Sequence, residues 1–130
     1  MLGIGPEQLA FAGASPYPEY LAFYNQLALV LDAAPYHGGM SSCDALWMGI
    51  PLLALHSPMR GALSLLNQIG HPEWWVEPAV YVQTALALLA TPRTLAAREA
   101  LRARALAAPF SQPAQRVREI EAHCQRLLGR

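Results

Sequence analysis

Leu27-Ala28-Leu29-Val30-Leu31-Asp32, followed after a short loop by His37-Gly38-Gly39-Met40-Ser41-Ser42-Cys43-Asp44-Ala45-Leu46-Trp47-Met48-Gly49-Ile50-Pro51, is the stretch that decides the fold. An apolar run ending in an acid, a paired-glycine loop, a short helical pattern and a new apolar run from Pro51 read as strand, loop, helix, strand. The glycines let backbone approach a ligand closely, and Ser41 or Ser42 is placed to N-cap the helix. A helix starting there turns unpaired N–H groups and the positive end of its dipole toward the loop mouth, which suits a phosphate or pyrophosphate. Asp44, in the first turn on this reading, can accept hydrogen bonds from sugar hydroxyls or complement the dipole.

Outward from this core, short apolar runs alternate with helical patterns, the signature of βαβ units and a parallel sheet. Strands are expected at Gln8–Ala12, Ala28–Asp32 and Pro51–Leu55, with helices at Pro18–Asn25 and Ser42–Met48. Ala28–Asp32 is apolar on both faces, as a central strand covered on two sides requires. Met59, Leu63, Leu66 and Ile69 keep helical spacing until Gly70 and Pro72 stop it, and Trp74-Trp75-Val76 reads as a short strand. Helices are then expected over Pro78–Leu89, Arg93–Leu106 and Ala114–Leu128, the last two separated by Pro109 and Pro113. The fold class is therefore α/β, a Rossmann-like parallel sheet flanked by helices with C-terminal helices. It is read as one domain over residues 1–130, with the ligand at the carboxyl ends of the strands. The Gly38-Gly39 loop and the loop after Leu55 both fall there. The strands are few for a complete doubly wound domain, which points to part of a larger enzyme.

The composition narrows the function. With 54% apolar residues in 130, the chain can bury a usable core. Nine basic and nine acidic side chains leave no net charge, so the electrostatic footprint of a nucleic-acid or anionic-membrane binder is missing. Any phosphate must then be held mainly by backbone and dipole. Arg93, Arg98, Arg102, Arg104, Arg116 and Arg118 read as solvated helix faces. Cys43 and Cys124 fall on separate helices, which argues against a disulfide and for a reducing, cytoplasmic setting. No run approaches the roughly 18 apolar residues of a membrane span, and no secretory signal pattern opens the chain.

The run Leu-Asp-x-x-Pro-Tyr-x-Gly-Gly-x-Ser-Ser-Cys-Asp-Ala-Leu-Trp-Met-Gly-x-Pro, Leu31 to Pro51, resembles the nucleotide-sugar-binding core of the O-linked N-acetylglucosamine (O-GlcNAc) transferase family. These are the SPINDLY-like, tetratricopeptide-repeat-associated glycosyltransferases and their bacterial relatives. The similarity continues through Phe11-Ala12-Gly13 and Tyr20-Leu21-Ala22-x-Tyr24 on one side and Leu66 to Ala90 on the other. It implies the C-terminal part of the donor-binding domain of a GT-B glycosyltransferase. A sugar, GlcNAc or a hexose, would pass from a uridine-diphosphate (UDP) sugar to a protein or peptide Ser, Thr or Asn. The implied site has the amides of Gly39, Met40, Ser41 and Ser42 on the diphosphate, Asp44 on the ribose hydroxyls and Tyr20 stacked on the uracil. Tyr20 stands where relatives carry a histidine, and a core role serves it equally. No metal or other cofactor is implied. The family's upstream lysine would precede Met1 and the amino-terminal half is not part of this sequence, so the catalytic residues are unknown and that half is an expected partner. A non-catalytic nucleotide- or partner-binding module, or an inactive remnant, is the alternative.

The remaining polar residues take lesser parts. His37 replaces the asparagine common in relatives and is expected to be a solvent-exposed loop residue. His56, just past a strand end, faces the ligand edge and can touch the sugar. Arg60 and Ser64 match the family's helix only loosely, and Arg60 either neutralises diphosphate charge or lies in solvent. His71 and His123 lack partners at metal-ligand spacing and read as surface residues. Trp47, Trp74 and Trp75 read as core, and Cys43, although near a helix start where a thiol pKa can fall, as packing. Asp32 caps the following loop.

Overall fold

A computed structural model describes residues 5–129. Within them, α1 (Tyr17–Phe23) precedes β1 (Val30–Leu31), α2 (Met40–Trp47), β2 (Leu52–Leu55), α3 (Gly61–Gln68) and β3 (Trp75–Val76). Three further helices follow: α4 (Pro78–Ala90), α5 (Leu95–Ala107) and α6 (Pro113–Leu127). The strands form a parallel sheet in the order β1-β2-β3, pairing Val30 with Leu52 and Ala54 with Trp75. The expected α/β class with a helix-flanked parallel sheet is what the chain adopts.

The central strand is not the one expected. Leu52, Leu53 and Ala54 of β2 are wholly buried, whereas Leu31 of β1 is 55% exposed at the sheet's edge. The apolar run Leu27–Leu31 therefore reports an edge strand with one partner, not a strand covered on both sides. The strand expected over Gln8–Ala12 is absent. Pro6–Gln8 forms a 3-10 turn closed by Gln8 N–H on the Gly5 carbonyl, and Phe11 is 93% exposed. A strand needs a neighbour to receive its N–H and C=O groups, and this segment pairs with no other strand.

The core gathers behind the loop. Leu46 of α2, Leu52 of β2, Leu66 of α3 and Leu101 with Ala105 of α5 form one cluster, and Tyr24, Ala45 and Ile50 form a second beside it. Gly49 turns the chain out of α2 at φ +73, with its α-carbon against the backbone of Arg98; an added Cβ would come within 2.4 Å of the Arg98 carbonyl oxygen. Only glycine meets both demands. Arg93 and Arg98, expected on a solvated face, instead reach inward. Arg93 donates to the carbonyl of Leu27 at 2.7 Å, and Arg98 to the carbonyl of Met48 at 3.0 Å and to Asn25 Oδ1 at 2.8 Å. Burial, with Arg98 nearby, lowers the Arg93 pKa from its ordinary value. These bonds fasten α5 to the end of α2 and to the entry of β1. By contrast, α6 buries no residue. No helix among the described residues is long and apolar enough to cross a membrane.

Candidate functional site

The carboxyl ends of β1 and β2 open into two loops, and Asp32 organises the first. Its Oδ1 accepts from the backbone N–H of Gly38 at 2.9 Å, that of Ala33 at 3.1 Å and the Ser42 hydroxyl at 3.1 Å. Its Oδ2 faces His37 Nδ1 at 3.0 Å. The expected capping role of Asp32 is thus found, with three residues of the loop and one of the helix drawn onto one buried carboxylate. Gly38 is held so tightly that an added Cβ would lie 2.5 Å from Ser41 Oγ and 2.8 Å from Ser42 Oγ. Gly39 is the reverse case: a Cβ there would meet nothing within 4 Å. The paired glycines have different reasons to exist, Gly38 for packing and Gly39 for open approach.

Gly39 itself, not Ser41 or Ser42, occupies the N-cap of α2, and no side chain caps the helix. Ser42 is buried with its hydroxyl shared between Asp32 and the Gly38 carbonyl, so it cannot also reach a ligand. Ser41 is exposed. The first intrahelical bond near this end runs from Cys43 N–H to the Gly39 carbonyl at 3.3 Å. Met40, Ser41 and Ser42 therefore begin the helix with N–H groups that have no intrahelical acceptor, the orphan donors of any helix start. Met40 is 72% exposed above them. With the helix beginning at Met40, Asp44 sits in the second turn, not the first.

Asp44 is buried at 6% exposure, and its Oδ1 accepts from the Tyr17 hydroxyl at 3.0 Å. That hydrogen bond, with burial and the carboxylate's charge behind it, raises the Tyr17 pKa. Tyr17, Tyr20 and Tyr24 follow one another at helical spacing on α1 and its 3-10 extension. The Tyr17 and Tyr20 rings stack at 5.9 Å, Tyr20 and Tyr24 meet edge-on at 5.3 Å, and their hydroxyls lie 2.6 Å apart. Tyr24 donates onward to the Ser41 carbonyl at 3.2 Å. Burial, then the Tyr20 hydroxyl, raises the Tyr24 pKa well above the usual phenol value. This tyrosine ladder ties α1 to α2. Tyr20 also borders a cleft of about 810 Å³ with Gly13, Ser15, Leu27 and Val30. Sequence reasoning missed Tyr17 and Tyr24, although their spacing from Tyr20 was visible.

The second loop meets the first. Ser57 Oγ lies 2.7 Å from His37 Nε2, joining the loop after β2 to the loop after β1 as the sequence required. His37 is not the exposed residue expected: its side chain is 4% exposed, because both ring nitrogens are engaged and Asp32 pulls it inward. His56 turns away from the mouth, with Nδ1 on Glu77 at 2.5 Å, Nε2 on the Trp75 carbonyl at 2.9 Å and its ring 3.9 Å from that of Trp75. His71 stacks on Trp74 at 3.9 Å and holds Arg104 and Glu73, so it is a packing residue as well as a surface one. His123, Arg60 and Ser64 are exposed. Trp47 is half-buried under Arg102. Burial, aided by Asp44, raises the Cys43 thiol pKa, opposite to the lowering a helix start can produce.

No protein-family model matches the chain, and no curated protein matches it. A solved structure does: a mutant O-GlcNAc transferase of Thermobaculum terrenum, 31% identical over 95% of this chain, with a TM-score of 0.81. The chain spans 25% of that protein's length. The likeness supports an O-GlcNAc-transferase-like assignment and a glycosyltransferase-like domain. The three-stranded parallel sheet with its helices matches the C-terminal portion of the GT-B architecture.

Proposed function

We propose that this chain belongs to the O-GlcNAc transferase family and forms the UDP-binding part of a donor site, from which GlcNAc or a hexose passes to a protein Ser, Thr or Asn. The observation that carries this reading is the open start of α2. Orphan N–H groups at Met40, Ser41 and Ser42 lie beside an unobstructed Gly39, at the carboxyl ends of two parallel strands, in a chain 31% identical to an O-GlcNAc transferase. As the sugar leaves its donor, negative charge grows on the diphosphate. Fixed amides and a helix dipole stabilise that charge without reorganising, which lowers the barrier. This calls for no metal.

On this reading the ribose hydroxyls replace the Tyr17 hydroxyl on Asp44, the one buried carboxylate on the face of α2 toward α1. Tyr20, stacked and bordering the adjoining cleft, offers a ring edge to the uracil. Of the two serines, Ser41 contributes its amide and hydroxyl and Ser42 its amide alone. The acceptor and the catalytic groups belong to the partner half, and the setting is the cytoplasm. The test is calorimetric titration of the chain with uridine, adenosine and guanosine diphosphates. Selective heat with the uridine form, lost in a folded Asp44→Ala variant, is the expected result. Equal or absent binding by all three in a folded sample overturns the proposal and favours a non-catalytic partner-binding module.

A further inference from the structure

Asp32, His37 and Ser57 stand in line where the two loops meet. Ser57 Oγ is 2.7 Å from His37 Nε2, and His37 Nδ1 is 3.0 Å from Asp32 Oδ2. The imidazole and carboxylate are each 4% exposed. Ser57 is only half-buried, two residues past the end of β2. A carboxylate oxygen can only accept, so His37 carries its proton on Nδ1, and in the neutral ring Nε2 is left as an acceptor facing the serine. Asp32 Oδ1 is already held by Gly38, Ala33 and Ser42, which fixes the carboxylate in its plane. The arrangement is a buried acid orienting a buried base onto the hydroxyl of a half-buried serine, the relation that activates a nucleophilic serine.

The hydrogen count gives this network two settings. Ser57 Oγ lies 2.9 Å from the Met59 carbonyl as well as 2.7 Å from His37. A hydroxyl has one hydrogen, so Ser57 donates to the bare Nε2 when His37 is neutral and to Met59 when Nε2 is protonated. Proton transfer from Ser57 to His37 is thus a movement within existing bonds. The loops that bear His37 and Ser57 also expose large apolar side chains, Tyr36 at 73% and Met59 at 45%.

We propose that Asp32, His37 and Ser57 form a nucleophilic triad that cleaves uncharged carboxylic esters with an apolar acyl group, an activity beyond donor binding. Ser57 Oγ bonds to the acyl carbon and its proton passes to His37 Nε2. The ester C–O bond breaks, and the alcohol departs with that proton. Water, deprotonated by the same nitrogen, then releases the carboxylic acid and restores the serine.

The test is covalent labelling of the chain with an alkyl fluorophosphonate, in which an Oγ–P bond forms and fluoride leaves. Mass mapping is expected to find one adduct, on Ser57, with the exposed Ser41 and Ser64 unmodified. His37→Gln is expected to slow labelling by about 100-fold or more, the usual contribution of a positioned general base. No adduct on a sample shown folded by circular dichroism, adducts spread over all three serines, or a rate indifferent to His37→Gln overturns the proposal. If His37→Gln does not fold, Ser57→Cys decides. Iodoacetamide should then alkylate the introduced thiol at least about tenfold faster than the exposed Cys124, since a neighbouring base supplies thiolate, and equal rates overturn it.

Discussion

The two ends of α2 are treated oppositely. At its carboxyl end the last carbonyls are met from within: Gly49 N–H closes on Leu46, Ile50 N–H on Ala45, and Arg98 donates to Met48. A cation there also complements the negative pole of the helix. At its amino end no side chain caps the helix, and the Asp32 carboxylate is taken up by the preceding loop and the Ser42 hydroxyl. One pole is thus satisfied by a residue fifty positions away, while the other keeps its orphan donors, and the proposed donor site assigns them to the diphosphate. The difference separates structure from function along a single eight-residue helix.

That contrast can be broken most severely through Asp32, on which both loops depend. Asp32→Ala should cost about 3 kcal/mol in urea unfolding, since several buried donors lose a charged acceptor; a loss below about 1 kcal/mol would deny Asp32 its organising role. Next comes Gly49→Ala at the closed end, expected to lower stability by about 2 kcal/mol through the left-handed backbone and the clash with Arg98, while folded protein keeps its affinity for uridine diphosphate. Gly39→Leu at the open end should do the converse. Its unfolding midpoint should stay put, because its Cβ enters open space, and its affinity should fall by about tenfold or more, or 1.4 kcal/mol. If the two glycine variants behave alike, the division between the ends is wrong. Smallest is Tyr17→Phe: removing the hydroxyl that occupies Asp44 should tighten uridine-diphosphate binding by about twofold, under 0.5 kcal/mol.

Much of this was legible in the sequence, and the rest was hidden for identifiable reasons. Periodicity found α1 to α6 because apolar spacing records which face is buried, and Gly70 with Pro72 marked the end of α3. It placed β1 at the centre of the sheet because two apolar faces and one exposed face look alike when the exposed residue is Leu31. The strand over Gln8–Ala12 was read from side chains alone, but a strand is made by its neighbour's backbone. Gly38-Gly39 and Asp32 lie in the loop between β1 and α2 as expected, while the helix starts at Met40 and not at Ser42, the cap falls on Gly39 and Asp44 lies one turn later. The burial of His37 and the inward reach of Arg93 and Arg98 left no periodic trace. They depend on long-range hydrogen bonds, to Ser57, Leu27, Asn25 and Met48, and sequence spacing says nothing of such bonds.

The arginine ties also set an order of events during synthesis. Arg93 and Arg98 reach back to Leu27, Asn25 and Met48, across separations of 66, 73 and 50 residues. Contacts so distant in sequence are closed late and at an entropic cost. A nascent chain that has delivered the whole Gly38-Gly39 loop still lacks the clamps that hold the surrounding elements. α5 must therefore be made before these clamps can close, so the Gly38-Gly39 loop is synthesised well ahead of the contacts that fasten its surroundings.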